Sequence, residues 1–417
     1  MADRVVAVAG ALDTKSADYE FLKSVIEARG LKVLLIDFGV LGNPALKPDI
    51  GSEEVARAGG DSLADLRATQ DKTRAMRAMT EGLAKVVAGL HAEGRIHGII
   101  SMGGSGGTAV ATNAMRALPV GFPKVMVSTV AGGDVAAYVG TRDIVMIPSV
   151  VDVAGLNRIS REIYTNAGGA IAGMVLARAE AAAAHEQKPV VVASMFGNTT
   201  ECVDRARHSL EKAGYEVLVF HATGTGGRTM ESLIADGFVD AVADITTTEL
   251  ADEVAGGVLN AGPDRLFAAA RKGLPTVLVP GCVDMANFWA ADTVPEKYRG
   301  RKLYEWNANV TLMRTNVAEN RHIGEWIARA ANESKGPVAV VLPLKGVSML
   351  DSPGGEFWDP EADSACFDAI RSKLRPDIAV VEMNANINDS AFADKVVETL
   401  LGLVARNRGR ATEPART

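Results

Sequence analysis

The sequence predicts an α/β protein made of two Rossmann-like domains, each built on a doubly wound parallel sheet. Short β-branched runs alternate with amphipathic stretches, and this alternation is typical of parallel sheets covered by helices. The pattern starts again in the second half, where residues 190–224 resemble residues 5–39 and Gly214 matches Gly30. A chain of 417 residues is also too long for one ordinary core. We favour a duplication over the alternative that any two β–α–β units look alike.

The elements of the first half follow from the pattern of apolar residues. Runs that are apolar on both faces predict buried parallel strands, and an apolar stripe repeated every three to four residues predicts an amphipathic helix. The predicted strands are residues 5–10, 32–39, 96–101 and 124–128. The predicted helices are residues 17–29, the stripe from Met76 to Leu90, and the Ala-rich segment 167–185.

The domain boundaries are predicted from changes in composition. We expect an N-terminal nucleotide-binding domain over residues 1–186 and a C-terminal ligand domain over residues 190–406, joined at residues 185–189. The last residues have no apolar pattern, which predicts a disordered tail over residues 407–417.

Composition excludes several classes of protein. The net charge of −7 argues against a nucleic-acid partner, since phosphates require a basic face. No apolar run is long enough for a membrane helix, and the first residues do not resemble a signal peptide. The three cysteines are widely spaced, which indicates reduced thiols and a cytoplasmic protein.

The strongest sequence signal for a ligand is GGSGGT, residues 103–108, between a predicted strand and helix. Glycines let the backbone approach a ligand, and free amides at a helix start attract an anion. Ser105 and Thr108 add hydroxyl donors. We favour phosphate binding over the alternative of a tight structural turn.

The segment GALDTKS follows the first predicted strand and resembles a phosphate loop without the second glycine of a Walker A motif. Asp13 or Thr14 is expected to cap the following helix, and Lys15 to reach a phosphate at that positive end. Asp37 ends the second strand, where a dinucleotide fold places a ribose-binding acid. Nicotinamide binding is nevertheless disfavoured, because the glycine fingerprint of the first turn is absent.

Two further loops of the first half carry candidates. STVAGGDV follows a predicted strand, and its Asp134 is expected either to coordinate magnesium or to cap a helix. VDVAGLNRIS places Asp152, Asn157 and Arg158 at helical spacing. Arg158 can clamp a phosphate or carboxylate, although a surface arginine is the commoner case.

The second half carries polar residues in corresponding places. In HATGTGGR, His221 and Arg228 accompany a glycine-rich turn, which suits an anionic ligand. In ITTTELADE, Glu249, Asp252 and Glu253 share one helix face through their i, i+3 and i+4 spacing. They are candidates for metal binding or acid–base catalysis, although a solvated acidic face is more usual.

A further group follows the later strands. VPGCVDMANF presents Cys282, Asp284 and Asn287 after a strand. Cys282 is either a nucleophile or, as we favour, a small buried thiol. Loops after the remaining strands supply four more candidates, which are Lys345, Asp351, Asp359 and Asp363.

Taken together, these motifs resemble the Tm-1-like family of ATP-binding proteins. The segments that carry the resemblance, in order, are GALDTK, GGSGGT, VSTV, VDVAGLNRIS, HATGTGGR, TTTEL, DMANF and LMRT. The resemblance covers nearly the whole chain and implies two Rossmann-like domains, ATP with Mg²⁺ in the first domain, and a homodimer. By matching residues, the implied cofactor site consists of Gly103, Gly104, Ser105, Gly106, Gly107, Thr108, Asp13, Thr14, Lys15, Ser128 and Thr129.

The chain departs from the family pattern in its second half. Trp306 stands where a histidine is expected, and Cys282 and Val283 stand where small or aliphatic residues are expected in a different order. These departures concern the ligand of the second domain rather than the nucleotide of the first.

Three functions are compatible with the sequence, and we favour the first, with the other two as alternatives. The first is an ATP- and magnesium-dependent enzyme acting on a small anionic metabolite in the cleft between the domains. Its candidate catalytic residues are Glu249, Asp252, Asp284, Arg228 and His221. The second is a regulatory ATP-binding protein that engages a protein partner. The third is a metal-dependent carboxylate- or sugar-metabolising enzyme that uses no nucleotide.

Overall fold

The computed structural model describes residues 4–181 and 188–412. The chain divides into two compact units, Met1–Glu186 and Gln187–Thr417, which we call the N-terminal and C-terminal units. Of the predicted joint, residues 185–187 lie outside the described residues. Both units contain parallel sheets of Rossmann-like character, as the sequence predicts.

The N-terminal unit is built on five parallel strands in the order β2-β1-β3-β4-β5. The strands are β1 (Val5–Gly10), β2 (Lys32–Asp37), β3 (Gly98–Gly103), β4 (Lys124–Ser128) and β5 (Val145–Pro148). The helices are α1 (Leu12–Glu27), α2 (Ser52–Ala58), α3 (Leu63–Thr69), α4 (Lys72–Ala92), α5 (Ser105–Arg116), α6 (Ala136–Val139) and α7 (Arg158–Ala181).

Helices cover both faces of this sheet. One core packs α4 and α5 against the sheet through residues such as Leu83, Val87 and Met115. The other packs α1 and α7 against the opposite face, through residues such as Leu22 and Ile171. Helices that follow β1 and β3 therefore leave on opposite faces, and this creates a crevice at the carboxyl ends of those neighbouring strands.

The C-terminal unit repeats this architecture with six strands in the order β14-β13-β9-β8-β6-β7. Its large sheet consists of β6 (Val190–Met195), β7 (Glu216–His221), β8 (Ala241–Thr246), β9 (Thr276–Gly281), β13 (Val338–Pro343) and β14 (Ala379–Met383). Its helices are α8 (Thr200–Lys212), α9 (Thr225–Asp236), α10 (Thr248–Ala255), α11 (Phe267–Lys272), α12 (Val317–Asn332), α13 (Pro360–Lys373) and α14 (Ser390–Thr412). The two sheets share the relative order of their first four strands.

A small antiparallel sheet in this unit corrects the sequence analysis. It contains β10 (Met285–Phe288), β11 (Leu303–Asn307) and β12 (Val310–Arg314) in the order β10-β12-β11. The sequence analysis predicted no strand in the DMANF and LMRT segments, but β10 and β12 pair directly along Met285–Phe288. Strand pairing across more than twenty residues leaves no local signal, so periodicity alone missed it.

The predicted disordered tail is wrong for residues 407–412. Helix α14 continues to Thr412, and residues 413–417 lie outside the described residues. Buried Leu400, Leu403 and Val404 anchor this helix in the core, and arginine and alanine are good helix formers. Within the described ranges, no helix has both the length and the apolar character that a membrane span requires.

Candidate functional site

A cavity of about 800 Å³ lies at the carboxyl edge of the sheet in the N-terminal unit. It opens where β1, β2 and β3 end, which is where ligands bind in open parallel sheets. The predicted site residues that line it are Asp13, Thr14, Lys15, Gly103, Gly104, Gly106 and Gly107. The structure thus brings the GALDTKS and GGSGGT segments together.

The glycines of the GGSGGT loop are not required by the fold. None of the four has a φ angle in the left-handed region. A Cβ atom added at Gly106 would lie 3.7 Å from Met76, and one at Gly104 would lie 3.8 Å from Thr129, both ordinary contacts. A tight turn therefore does not explain this loop. The bare backbone leaves space in the cavity instead.

Helix α5 begins in this loop with its N-terminus facing the cavity. No side chain caps the helix at Gly104, so its first-turn N–H groups keep their capacity to bind an acceptor. The helix is 12 residues long, and its dipole adds positive potential at that end. Glycines without side chains and an uncapped helix start together form a cradle for an anion.

Tyr19 of α1 holds the strand ends beside the cavity. Its hydroxyl donates to the carbonyl of Met102 at 2.5 Å and accepts from the N–H of the same residue at 2.9 Å. These backbone groups of β3 would otherwise be buried without partners. A Cβ at Gly10 would overlap the tyrosine ring, so this glycine is required by packing. Burial raises the pKa of Tyr19 to about 12.

Asp37 caps a helix rather than offering a carboxylate to a ribose. It is fully buried, and its Oδ1 accepts from the N–H groups of Leu12 at 3.0 Å and Gly39 at 2.9 Å. Burial raises the pKa of this carboxyl. The side chain fixes the start of α1 relative to the end of β2, and so shapes the cavity from behind.

Asp13 and Lys15 both line the cavity, but they also make structural contacts. Asp13 Oδ2 accepts from the N–H groups of Leu41 at 2.8 Å and Gly42 at 3.2 Å, so it holds the loop after β2 rather than capping its own helix. The Lys15 ammonium group donates to the carbonyl of Val153. Lys15 is close enough to the glycine loop to share one cavity with it.

The helical part of the cavity lining was missed by the sequence analysis. It comes from α3, α4 and the loop between them, with apolar Leu66, Met76 and Met79 and polar Gln70 and Asp71. Gln70 adopts a φ of 51°, an uncommon conformation for a residue other than glycine. Nothing in the spacing of this region indicates a site, because its apolar stripe looks like any core-facing helix.

Other predicted cofactor residues do not line the cavity. Thr108 and Ser128 are buried, and their hydroxyls bond to each other at 2.6 Å. Ser105 and Thr129 are exposed outside the lining. These four residues therefore support the loop or flank it, and their contact with a cofactor stays a prediction.

The polar loops beyond β4 and β5 make helix and turn contacts. Asp134 is exposed and accepts from the N–H of Ala136 at 2.9 Å. Asn157 caps α7 by accepting from the N–H groups of Ile159 and Ser160. Asp152 and Arg158 are exposed. Asp134 therefore binds the first N–H of α6, and its coordination of magnesium stays a prediction. No described group of three or more His, Cys, Asp or Glu residues is arranged to hold a metal.

In the C-terminal unit, the HATGTGGR loop already has an anion, which is the carboxylate of Glu249. Its Oε1 accepts from the N–H groups of Gly224 at 2.7 Å and Gly227 at 3.0 Å. A Cβ at Gly227 would overlap that carboxylate, so here the glycine is required by the fold. Arg228 and His221 are exposed and do not contact Glu249. A carboxylate of the protein itself thus occupies the place at this loop that was predicted for an anionic ligand.

The predicted solvated acidic face is wrong. Glu249 and Asp252 are buried, and Glu253 is half-buried. Asp252 Oδ2 accepts from Asn287 Nδ2 at 2.6 Å and its Oδ1 from the Asn287 N–H at 2.9 Å. Burial raises the pKa of Asp252 to about 7. The three residues do share a helix face, but that face points into the unit rather than to solvent.

Glu249 belongs to a buried ion-pair network centred on Arg265, which the sequence analysis missed. The Arg265 guanidinium, 1% exposed, bonds to Glu249 at 2.6 Å, to Asp244 at 2.5 Å and to Glu231 at 3.2 Å. Burial alone lowers the pKa of Arg265, but the three carboxylates outweigh it and raise the pKa well above its ordinary value. These acids therefore keep Arg265 charged, and Arg265 in turn compensates their buried negative charges.

Asp284 lies in a second buried cluster, together with the candidates Asp351 and Asp363. Asp363 contacts Arg314 at 2.7 Å, and Asp351 lies 3.6 Å from the same guanidinium. Asp284 accepts from the Ser348 hydroxyl at 2.8 Å, and its other oxygen has no partner among the described residues. Burial, followed by the charge of Asp351, raises the pKa of Asp284 to about 7 and that of Asp363 to about 8.

The remaining candidates of this unit have ordinary roles. Cys282 is a free buried thiol, and burial raises its pKa well above the usual value, as expected for an inert cysteine. Asp359 caps α13 by accepting from the N–H of Ala362. Lys345 is exposed.

The carboxyl cluster predicts a pH-dependent stability of the C-terminal unit. A folded-state pKa near 7 or 8 lies above the unfolded value of about 3.9, so the folded unit holds protons that the unfolded chain releases. The free energy of unfolding should therefore fall as pH rises from about 4 to about 7, by up to about 1.4 kcal/mol per pH unit for each such group. Asp284→Asn should flatten this slope.

Urea unfolding followed by tryptophan fluorescence measures this slope, because all four tryptophans, at positions 289, 306, 326 and 358, lie in the C-terminal unit. Asp204→Asn, which alters an exposed carboxylate, is the matched control and should keep the wild-type slope. Equal slopes in wild type and Asp284→Asn would contradict the prediction.

Comparison with known proteins decides the family. Residues 4–180 match the N-terminal domain of the uncharacterised protein family UPF0261, and residues 188–404 match its C-terminal domain. The chain is a UPF0261 protein. A UPF0261 protein from Clostridium tetani is 48% identical over 97% of this chain and 100% of its own length. One from Rhizobium meliloti is 46% identical over 94% of this chain and 97% of its own.

The resemblance to Tm-1 is confirmed by a plant relative. The tomato (Solanum lycopersicum) ToMV resistance protein Tm-1 is 43% identical to this UPF0261 protein over 81% of the chain and 45% of the tomato protein. Among solved structures, a UDP-N-acetylglucosamine 2-epimerase from Rickettsia bellii covers 97% of this chain and 98% of its own at 11% identity. The TM-score of 0.24 is too low to support any conclusion about function.

Proposed function

We propose that the N-terminal unit binds ATP in the 800 Å³ cavity, with its phosphates on the GGSGGT loop. The observation that carries this proposal concerns the four glycines that line the cavity. A side chain would fit at each of them and none has a left-handed φ, so the fold does not require glycine there. An uncapped helix start in the same loop supplies N–H donors and positive potential for an anion. Lys15, which lines the same cavity, adds a positive charge.

The helical part of the lining suits the remainder of a nucleotide. Leu66, Met76 and Met79 offer an apolar, adaptable surface for a planar base. Gln70 and Asp71 add polar atoms to the same part of the lining. A cavity of this volume lies within the range of about 300–1,000 Å³ that small-molecule sites occupy. The division into an anion cradle and an apolar wall favours a nucleotide over a simple anion.

We propose that Mg²⁺ binds together with the nucleotide. Proteins usually bind Mg²⁺ through phosphates, water and one or two carboxylates. This chain offers Asp71 and Asp13 on the cavity wall, although one oxygen of Asp13 already accepts from two amides. One oxygen of Asp71 is engaged as well, since it accepts from the N–H of Arg74 at 3.0 Å as the N-cap of α4. Each of the two carboxylates therefore keeps one oxygen for the metal side of the site.

We propose that the chain binds ATP, and we favour a function in which it associates with a protein partner when ATP is bound. Of the candidate catalytic groups, Glu249 and Asp252 have their oxygens engaged in internal bonds. The tomato relative is named for virus resistance rather than for a reaction. An ATP-dependent enzyme acting on a small anionic metabolite is the alternative.

The test is the thermal unfolding of the full chain with ATP, ADP, AMP or NAD, each with and without Mg²⁺. ATP at about 100 times its Kd adds about 2.7 kcal/mol of stability. We expect the midpoint of the N-terminal unit to rise by about 5–10 °C. Light scattering in the same solutions reports whether the chain is the homodimer that the family resemblance implies. No rise with any nucleotide would overturn the proposal.

A further inference from the structure

A second cavity, of about 260 Å³, lies at the opposite edge of the N-terminal sheet, where the strands begin. Four basic or titratable side chains line it: Arg4 before β1, His97 before β3, His91 in the last turn of α4, and Arg178 near the end of α7. No aspartate or glutamate is among its described lining residues. Neither the nucleotide proposal nor the family comparison involves this cavity.

The basic groups are held in place by neighbouring structure. The N–H of Val5 donates to His97 Nδ1 at 3.1 Å, so the ring proton of neutral His97 is on Nε2, where it can be donated. The Arg178 guanidinium lies 5.5 Å from the centroid of the Phe122 ring. The His91 ring packs edge-on against that same ring at 4.8 Å. One aromatic side chain thus positions two of the four groups.

The positive charges of this cavity repel one another. Burial, and then the charges of Arg178 and Lys124, lower the pKa of His91. Burial, and then the charge of Arg4, lower the pKa of His97. Lys124 is neutralised by Asp143 at 2.7 Å, but no described carboxylate pairs with Arg4 or Arg178.

Helix ends do not account for all of this charge. The C-termini of α4 and α7 contribute about half a negative charge each, or about one in total. Arg4 and Arg178 alone carry two positive charges, before either histidine is protonated. An excess of positive charge at a cavity that also offers an imidazole N–H donor points to an anionic ligand.

We propose that this cavity binds a phosphate group, either free phosphate or a small phosphate monoester. Arginine presents paired N–H donors that match the oxygens of a phosphate. The imidazole Nε2–H of His97 supplies a further donor, and Phe122 and Val175 provide an apolar margin for the carbon atoms of a monoester. The volume fits such a compound and is about a third of that of the nucleotide cavity.

The test is a titration of ¹³C-histidine-labelled full-length protein with inorganic phosphate and, separately, glycerol 3-phosphate, at constant ionic strength. Signals of the two rings are assigned with His91→Gln and His97→Gln. Both signals should shift and saturate, and the pKa of His91 should rise on binding. Tighter binding of glycerol 3-phosphate would identify the ligand as a monoester, and tighter binding of inorganic phosphate would identify the free ion.

Two arginine variants provide the decisive comparison. Arg178→Gln should weaken phosphate binding by about tenfold or more, because it removes a charged donor pair. Arg161→Gln is the matched control, since Arg161 is an exposed arginine of the same helix that covers a different ring, Phe21. It should bind as wild type does.

A third variant separates this site from the nucleotide site. Gly106→Val obstructs the nucleotide cavity and should leave the histidine response unchanged, whether or not ATP binding is correct. A response that is lost in Gly106→Val but kept in Arg178→Gln would overturn the proposal. Histidine chemical shifts that grow linearly with phosphate concentration and do not saturate would also overturn it. They would mean that the basic groups interact only with the C-termini of the helices.

Discussion

Gly106→Val is expected to abolish the ATP-dependent rise in the unfolding midpoint and to weaken ATP binding by at least about tenfold, or about 1.4 kcal/mol. The new Cβ would lie 3.7 Å from Met76, an ordinary contact, and Gly106 is exposed, so the Cβ atom itself creates no clash. The branches of the valine side chain would occupy the space that the phosphates need. Without nucleotide, the free energy of unfolding of Gly106→Val should lie within about 0.5 kcal/mol of the wild-type value, as for most exposed substitutions.

Gly173→Val is the control for this experiment. Gly173 is an exposed glycine of α7, a Cβ added to it would meet no atom within 4 Å, and it does not line the cavity. This variant should keep the full response to ATP. An unchanged response in Gly106→Val, measured by calorimetry alongside Gly173→Val, would place the nucleotide elsewhere.

Arg265→Met is expected to destabilise the C-terminal unit by about 3–5 kcal/mol. It leaves the buried carboxylates of Asp244, Glu249 and Glu231 facing one another without a cation, and an uncompensated buried charge is costly. Urea unfolding monitored by tryptophan fluorescence reports this loss, because every tryptophan lies in that unit. Trp326 donates to the Arg265 carbonyl, so its signal is sensitive to this region.

The matched control is Arg271→Met. Arg271 pairs with Asp264 at 2.7 Å, but more than half of each side chain is exposed. Exposed ion pairs contribute about 0–1 kcal/mol, so this variant should lose little stability. Similar losses in both variants would contradict the view that Arg265 organises the buried acids.

The sequence predicted the elements that follow from local patterns. Strand β4 lies where its apolar run places it, and the GALDTKS and GGSGGT segments meet because each follows a strand of one parallel sheet. Both sheets were predicted from the alternation of strands and helices. The part of the site that could be located from the sequence is the part that lies at the strand ends.

The rest depends on contacts between distant residues. Met76 and Gln70 line the cavity because α3 and α4 fold over the strand ends, and their apolar spacing does not distinguish a cavity from a core. The i, i+3 spacing of Glu249 and Asp252 indicated a shared face, but the position of Arg265 decides that this face is buried. Similarly, the glycines of the two glycine-rich loops look alike in sequence. Only packing shows that Gly227 must be glycine and Gly106 need not be.

The most direct test of the central claim is a crystal structure of the full chain grown with ATP and Mg²⁺. We expect a triphosphate against the first-turn N–H groups of α5, close to Gly104 and Gly106, with the base against Met76 and Met79. ATP bound elsewhere, or an empty cavity in crystals saturated with ATP, would contradict it.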